Sequence, residues 1–241
     1  MKKNIKISMI CSGQIGSNLA LFSMIKNLCD EIVLFDVFQG VAKGKALDLS
    51  QTAALLNKDI KIFGTDKYED IKDSDVCIVT AGFPRKPNMS RNDLLSKNLE
   101  VINQVADGVS KYSKNSFVII VTNPLDIMVY SFYKKSNINK NMIVGMAGVL
   151  DSARFKSFLK EEIKISYSDI NTFVLGGHGD DMVPITRFST VNGINLEEIK
   201  NMGFIEENKL NEIINKTRVG GGEIVKLLGT GSAYYTPALS A

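Results

Sequence analysis

Apolar and polar positions along the chain change rhythm near residue 150. Before it, short unbroken apolar runs alternate with stretches of helical spacing. The runs are 5–11 (IKISMIC), 31–36 (EIVLFD), 60–65 (IKIFGT), 75–82 (DVCIVTAG) and 117–123 (FVIIVTN). Ile/Val runs without polar alternation predict strands covered on both faces. Between them, Ile15, Leu19, Phe22, Ile25 and Leu28 space out a helix over 14–28, and 40–56 and 92–112 also read as helices. Strand and helix in turn predict right-handed crossovers, hence an α/β domain with a doubly wound parallel sheet over 1–146.

After MIVGMAGVLD (142–151) the pattern is mixed. Residues 151–163 read as a helix, 171–177 and 182–191 as strands, the second running into an Asn192-Gly193 turn. Two further helices are predicted near 205–217 and 221–228. The chain then reaches TPALSA with no apparent final element. This gives a second, α+β lobe over 147–241.

Composition narrows the class. With 241 residues, 44% apolar and 23% charged, the chain is globular rather than disordered or fibrous. A net charge of +3 gives no reason to expect a nucleic-acid partner. No run approaches the roughly 18 apolar residues of a membrane span. Lys6 interrupts the apolar start and no small-residue cleavage site follows, so 5–11 reads as the first strand of a cytoplasmic protein, not a secretory signal. Cys11, Cys29 and Cys77 are odd in number and scattered, which fits a reducing compartment and offers neither a disulfide framework nor metal-ligand spacing. No metal is expected. His178 is the single histidine, and only Arg85, Arg91, Arg154, Arg187 and Arg218 carry a guanidinium. Each Arg raises the question of whether a planar, forked donor is needed there.

Four stretches carry candidate chemistry. Cys11-Ser12-Gly13-Gln14-Ile15-Gly16 follows the first strand and opens a helix, and Asp36 closes the second strand 20 residues beyond Gly16. A Rossmann-type dinucleotide turn has glycines where backbone meets pyrophosphate and an acid at this distance for the ribose hydroxyls. The acid would repel a 2′-phosphate, so NAD is favoured over NADP. Cys11 stands where the pattern has its first glycine, and a plain turn is the other reading. GGHGDDMVP (176–184) sets His178 between glycines after a strand. Read alone it is a structural histidine; in an exposed loop it suits proton exchange with an alcohol. In Leu150-Asp151-Ser-Ala-Arg154, Asp151 is either a helix N-cap or the group that orients the imidazole, and Arg154 either a surface residue or a fork for a carboxylate. AGFPRKPNMSRNDL (81–94) is a loop holding Arg85 and Arg91, at the carboxyl end of a parallel strand, which favours a lid over a solvated basic loop.

Two motifs are set aside. Tyr130-Ser-Phe-Tyr133-Lys134 matches the Tyr-x-x-x-Lys pair of short-chain reductases without their glycine turn, and both tyrosines are read as helix packing. Gly40-Val-Ala-Lys-Gly44-Lys45 hints at a phosphate loop but lacks its length and its Ser/Thr.

Longer stretches resemble one family. QGVAKGKALDLSQ (39–51), TAGFPRKPNMSRNDLL (80–95), VTNPLDIM (121–128), GMAGVLDSARF (145–155), LGGHGDDMVPITRFSTVNG (175–193) and TRVGGGEIVKLLGTGSAYYTPA (217–238) closely resemble the lactate/malate dehydrogenases, in particular the bacterial lactate-dehydrogenase-like malate dehydrogenases. The resemblance runs from about residue 5 to the end of the chain. It implies an NAD-dependent oxidoreductase of malate and oxaloacetate that assembles as a homodimer or homotetramer. It further implies that His178 is the general base, that Asp151 holds its other ring nitrogen, and that Arg154 binds the C1 carboxylate. Arg91 would polarise the oxaloacetate carbonyl and Asn123 hydrogen-bond the reacting oxygen. Asn98 would hold the cofactor, with Val121, Thr122 and Asn123 lining the nicotinamide side and 11–16 and Asp36 the rest.

Arg85 stands where lactate-specific relatives resemble one another in having glutamine. A charge-assisted hydrogen bond to malate's second carboxylate contributes about 1.5–3 kcal/mol, roughly ten- to a hundred-fold in discrimination. The family pattern also continues past the last residue here, so the second lobe is expected to be truncated. The other expectations are a lactate-type 2-hydroxy-acid dehydrogenase, a catalytically silent NAD-binding fragment and, more remotely, a reductase using Tyr130.

Overall fold

The computed structural model describes residues 4–83 and 91–241, with the backbone alone for Arg91 and Asn92. Arg85 and the rest of 84–90, half of the 81–94 loop, lie outside the described residues. By their contacts, the residues up to Met146 together with Tyr234–Ala241 form one compact unit and Ala147–Ala233 form another. A division of the sequence at 146/147 puts Tyr234–Ala241 in the second unit instead.

In the first unit, β1 (Lys6–Ile10), β2 (Glu31–Phe35), β3 (Lys61–Thr65), β4 (Val76–Val79), β5 (Phe117–Ile120) and β6 (Ile143–Gly145) pair in parallel in the order β3-β2-β1-β4-β5-β6. Helices α1 (Gln14–Ile25), α2 (Gln39–Leu55), α3 (Arg91–Tyr112) and α4 (Leu125–Ser136) cover the sheet. Met9, Ile10, Ile32, Val33 and Leu34 are fully buried, which is why these strands read as unbroken apolar runs. Strand order reverses between β1 and β4, and the carboxyl ends beside that point are where open α/β sheets bind ligands. Ile10 is in register with both Phe35 and Val79, so the chain leaves β1, β2 and β4 at one level.

In the second unit, α5 (Gly148–Ile163), α6 (Leu196–Asn201) and α7 (Glu207–Leu228) pack with β7 (Ile170–Asn171), the β8–β9 hairpin (Val174–Gly176, Met182–Pro184), β10 (Thr190–Val191) and β11 (Ile194–Asn195). Phe155, Leu159, Ile170, Val174, Met182, Leu196 and Leu210 sit in its core. The last element, α8 (Tyr235–Ser240), packs on α1 with Ala238 buried.

The structure corrects five local expectations. Residues 182–191 do not form one strand. Pro184 ends the pairing with β8, a turn of 3-10 helix over Thr186–Phe188 follows, and the Ser189 hydroxyl donates to Ile185 O while accepting from Phe173 N. The helices expected at 205–217 and 221–228 are one continuous α7, through Gly220-Gly221-Gly222. The end of the chain is helical. Strand β6 went unpredicted because three residues are too few to show a period. Tyr130 and Tyr133 do lie on a helix, α4, but at 61% and 37% exposure they face outward instead of packing.

Candidate active site

In the second unit, α5 places Asp151 in its first turn and Arg154 one turn on, so both side chains share a helix face. The Asp151 carboxylate is only 3% exposed. Burying it uncompensated costs several kcal/mol, so its partners decide whether the site is stable. One oxygen, Oδ1, accepts from Arg154 Nη1 at 3.2 Å. The other, Oδ2, lies 2.9 Å from Nδ1 of His178, in the loop between β8 and β9. An ionised carboxylate can only accept, so Nδ1 carries the proton and Nε2 is the basic nitrogen. Asp151 is therefore no helix cap. The N-cap position belongs to Ala147, which offers no side-chain bond.

Arg154 is held from the far side as well. Its Nη1 donates to Thr217 O at 3.4 Å on α7. A Cβ on Gly220 would come within 2.7 Å of Arg154 Cδ and 3.2 Å of Nε, and one on Gly221 within 3.5 Å of Nη2. The glycines of α7 thus form the shelf on which the guanidinium lies. Burial lowers the pKa of Arg154 while the Asp151 charge raises it; it remains a cation. The residue after Thr217 holds the strand that follows the histidine loop, as Arg218 Nε donates to Met182 O, at the start of β9, at 3.2 Å. Thr217, Gly220 and Gly221 were not foreseen as part of the site, and Arg218 was singled out only as one of five arginines, with no role assigned to it.

In the first unit, the turn after β1 leads directly into α1. Cys11 has φ +87°, a left-handed conformation that favours glycine and is strained for a side chain. A Cβ at Gly16 would lie 2.1 Å from Cys11 O, so only glycine lets helix and turn approach this closely. Asp36, 6% exposed, accepts from Ser12 N at 2.8 Å and Phe38 N at 3.0 Å. Burial pushes the Cys11 thiol up to about 11, opposed by the Gly13 N–H and reinforced by Asp36. Near neutrality it is therefore an uncharged thiol, not an anion facing phosphate. Thr80, unflagged by the sequence, ties the turn to the end of β4 by donating to Cys11 O at 3.1 Å.

Asn123 is exposed just past β5, while Val121 and Thr122 are buried, with the Thr122 hydroxyl donating to Ala81 O. Asn98 is 2% exposed. Its amide donates to Asn123 O and accepts from Phe83 N, both at 2.8 Å, so it braces the ends of β4 and β5. Arg91 opens α3, but its side chain lies outside the described residues, as does all of Arg85. Gln14 and Ile15 occupy the first turn of α1.

Known proteins share this architecture. Residues 5–145 match the family model for the lactate/malate dehydrogenase NAD binding domain, and residues 148–241 that for the lactate/malate dehydrogenase alpha/beta C-terminal domain. A malate dehydrogenase of Methylobacterium radiotolerans is 54% identical over 98% of this chain and 73% of its own length. The crystal structure of Cryptosporidium parvum malate dehydrogenase superposes with a TM-score of 0.95 at 51% identity, covering 99% of this chain and 76% of that one. A lactate dehydrogenase of Eimeria maxima, solved with NADH and oxamate, reaches 0.94 at 41% identity over 100% of this chain and 72% of that one.

Proposed function

This chain belongs to the lactate/malate dehydrogenase family, and from that premise we propose that it interconverts malate and oxaloacetate with NAD. The observation that carries the reading is the buried carboxylate of Asp151 shared between the His178 imidazole and the Arg154 guanidinium. The turn fits a dinucleotide: Gly16 permits close approach, Asp36 is fixed beside it, and Cys11 is uncharged. When bound, NAD takes up or returns a hydride at its nicotinamide.

His178 Nε2 takes the hydroxyl proton of malate and returns it in the reverse direction. Before the transfer, Asp151 and Arg154 cancel and the imidazole is neutral. Afterwards the trio carries one positive charge, which Asp151 stabilises at Nδ1 and which opposes the substrate's carboxylates. Arg154 forks onto the C1 carboxylate. Asn123 hydrogen-bonds the reacting oxygen, Arg91 polarises the carbonyl and Arg85 pairs with the second carboxylate. Asp36 accepts from the ribose hydroxyls. Ser12, Gly13, Gln14 and Ile15 present backbone to the pyrophosphate, and Val121 and Thr122 back the nicotinamide side.

The fold does not separate malate from lactate relatives, which superpose almost equally well. The guanidinium at position 85 favours the four-carbon diacid. Loss of NADH absorbance on adding oxaloacetate, with much slower loss on adding pyruvate, is the expected result. The reverse ranking makes it a lactate-type enzyme, and NADH binding without consumption makes it a silent nucleotide binder. We further read it as a cytoplasmic homodimer or homotetramer. No helix among the described residues is long and apolar enough to cross a membrane, and Val41, Leu47 and Leu55 leave apolar surface exposed on α2.

A further inference from the structure

The Gly40–Lys45 stretch fails as a phosphate loop in sequence, yet the fold carries its last lysine to the cofactor turn. Lys45, on the second turn of α2, is partly buried and its Nζ donates to Ser17 Oγ at 3.0 Å. Ser17 sits in the first turns of α1 and passes the bond on, its hydroxyl donating to Gly13 O at 2.7 Å. Gly13 is the N-cap of α1 and the middle of the predicted pyrophosphate turn. The Lys45 charge also reaches the base of that turn, where it favours the ionised form of Cys11. Among the described residues, the hydrogen-bond partner of Lys45 Nζ is the neutral Ser17 hydroxyl, no side chain caps α1, and its first turn holds no acid. An ammonium bonded to a neutral hydroxyl is thus held beside the uncapped, positive end of a helix, where both favour an anion, with Asp36 the carboxylate at the same turn.

We propose that Lys45 is a positioning residue for the diphosphate of the dinucleotide, acting through Ser17 on the Gly13 carbonyl and through its own charge. This rests on the cofactor reading above. Its chemistry is that of a point charge reinforcing backbone donors: Lys45 supplies attraction, and Ser17 keeps the Gly13 carbonyl turned into the helix and away from the phosphates. The reacting carbons are not involved, so affinity changes and turnover does not.

The test is titration of NADH fluorescence with wild type, Lys45→Met, Lys45→Arg and Ser17→Ala, each checked for folding by circular dichroism. Lys45→Met should raise the NADH Kd about five- to tenfold, flatten its dependence on salt, and leave kcat within about twofold. Lys45→Arg should recover most of the affinity. Ser17→Ala should weaken binding by a smaller factor with the salt dependence kept. As competitors, ADP-ribose should lose affinity for Lys45→Met and adenosine should not. If wild type binds NADH and Lys45→Met binds it equally well with only a lower Tm, the lysine merely fastens α2 to α1 and the proposal is overturned. Wild type that binds no NADH overturns the cofactor reading instead.

Discussion

Asp151 Oδ2 lies 2.9 Å from His178 Nδ1 across 27 residues of sequence, while Oδ1 of the same carboxylate takes Arg154. One side chain therefore fixes both the tautomer of the base and the place of the carboxylate fork. Asp151→Asn keeps the shape and removes the charge. It should lower kcat/KM for oxaloacetate by on the order of 10²–10⁴, with KM rising as well because Arg154 loses its counter-ion. His178→Gln should lower kcat by a similar factor while leaving KM nearly unchanged. The NADH Kd should hold in both. Steady-state kinetics beside NADH titration separates these outcomes, and a shared pattern for the two variants would mean that Asp151 serves His178 alone.

Gly220 should break the ordinary rule for glycine in a helix. Replacing an interior glycine with alanine normally stabilises a helix by about 1 kcal/mol. Here the added methyl meets Arg154 Cδ at 2.7 Å, and Arg154 cannot retreat without losing Asp151 Oδ1 or Thr217 O. Gly220→Ala should therefore raise the oxaloacetate KM by about ten- to a hundred-fold, the scale of a charge-assisted hydrogen bond. Gly222→Ala, with nothing within 4 Å, should leave KM alone and raise Tm. Equal KM values for the two variants would remove the shelf from the account.

That contrast also shows what the sequence could and could not reveal. The parallel sheet was legible because Met9, Ile32 and Val33 are buried on strands covered on both faces, and such runs stand out without any partner being known. His178, Asp151 and Arg154 were legible as residue types in glycine- and helix-flanked settings; that Asp151 meets the imidazole was one of two readings of its residues, and only the family resemblance chose between them. The Gly220 triplet reads locally as a break, and only Arg154, 66 positions earlier, shows why position 220 has no room for a side chain. Asn98 was expected at the cofactor, but that its amide also braces Phe83 and Asn123 was not legible. A hydrogen bond to main chain leaves no trace in composition or period. Helix α8 is too short for a 3.6 rhythm and owes its burial to α1.

Arg85 decides substrate choice on the reading proposed here. Arg85→Gln replaces a fork for a carboxylate with a neutral amide. The ratio of kcat/KM for oxaloacetate over pyruvate should fall by roughly ten- to a hundred-fold, chiefly through loss on oxaloacetate. Kinetics with both keto acids at fixed NADH measures it. An unchanged ratio would place the discrimination elsewhere and weaken malate against lactate.

Cys11 holds a backbone conformation that glycine adopts without strain, and burial keeps its thiol protonated up to about 11 against 9.0 for an ordinary cysteine. The folded state therefore retains a proton that the unfolded chain releases near pH 9. Stability from this group is complete below that pH and is lost as pH rises toward 11, by up to about 2 kcal/mol. Cys29, also raised to about 11 by burial, adds to the same alkaline loss. Cys11→Gly should act twice. Relief of left-handed strain, partly offset by the freer unfolded chain, should raise Tm at neutral pH by roughly 1–3 °C. The fall in stability between pH 9 and about 11 should shrink without vanishing, since Cys29 remains. Thermal melts across that pH range decide both points. A variant no more stable than wild type at neutral pH, with an equal alkaline fall, would show that the turn accommodates the side chain without cost and that its thiol titrates normally.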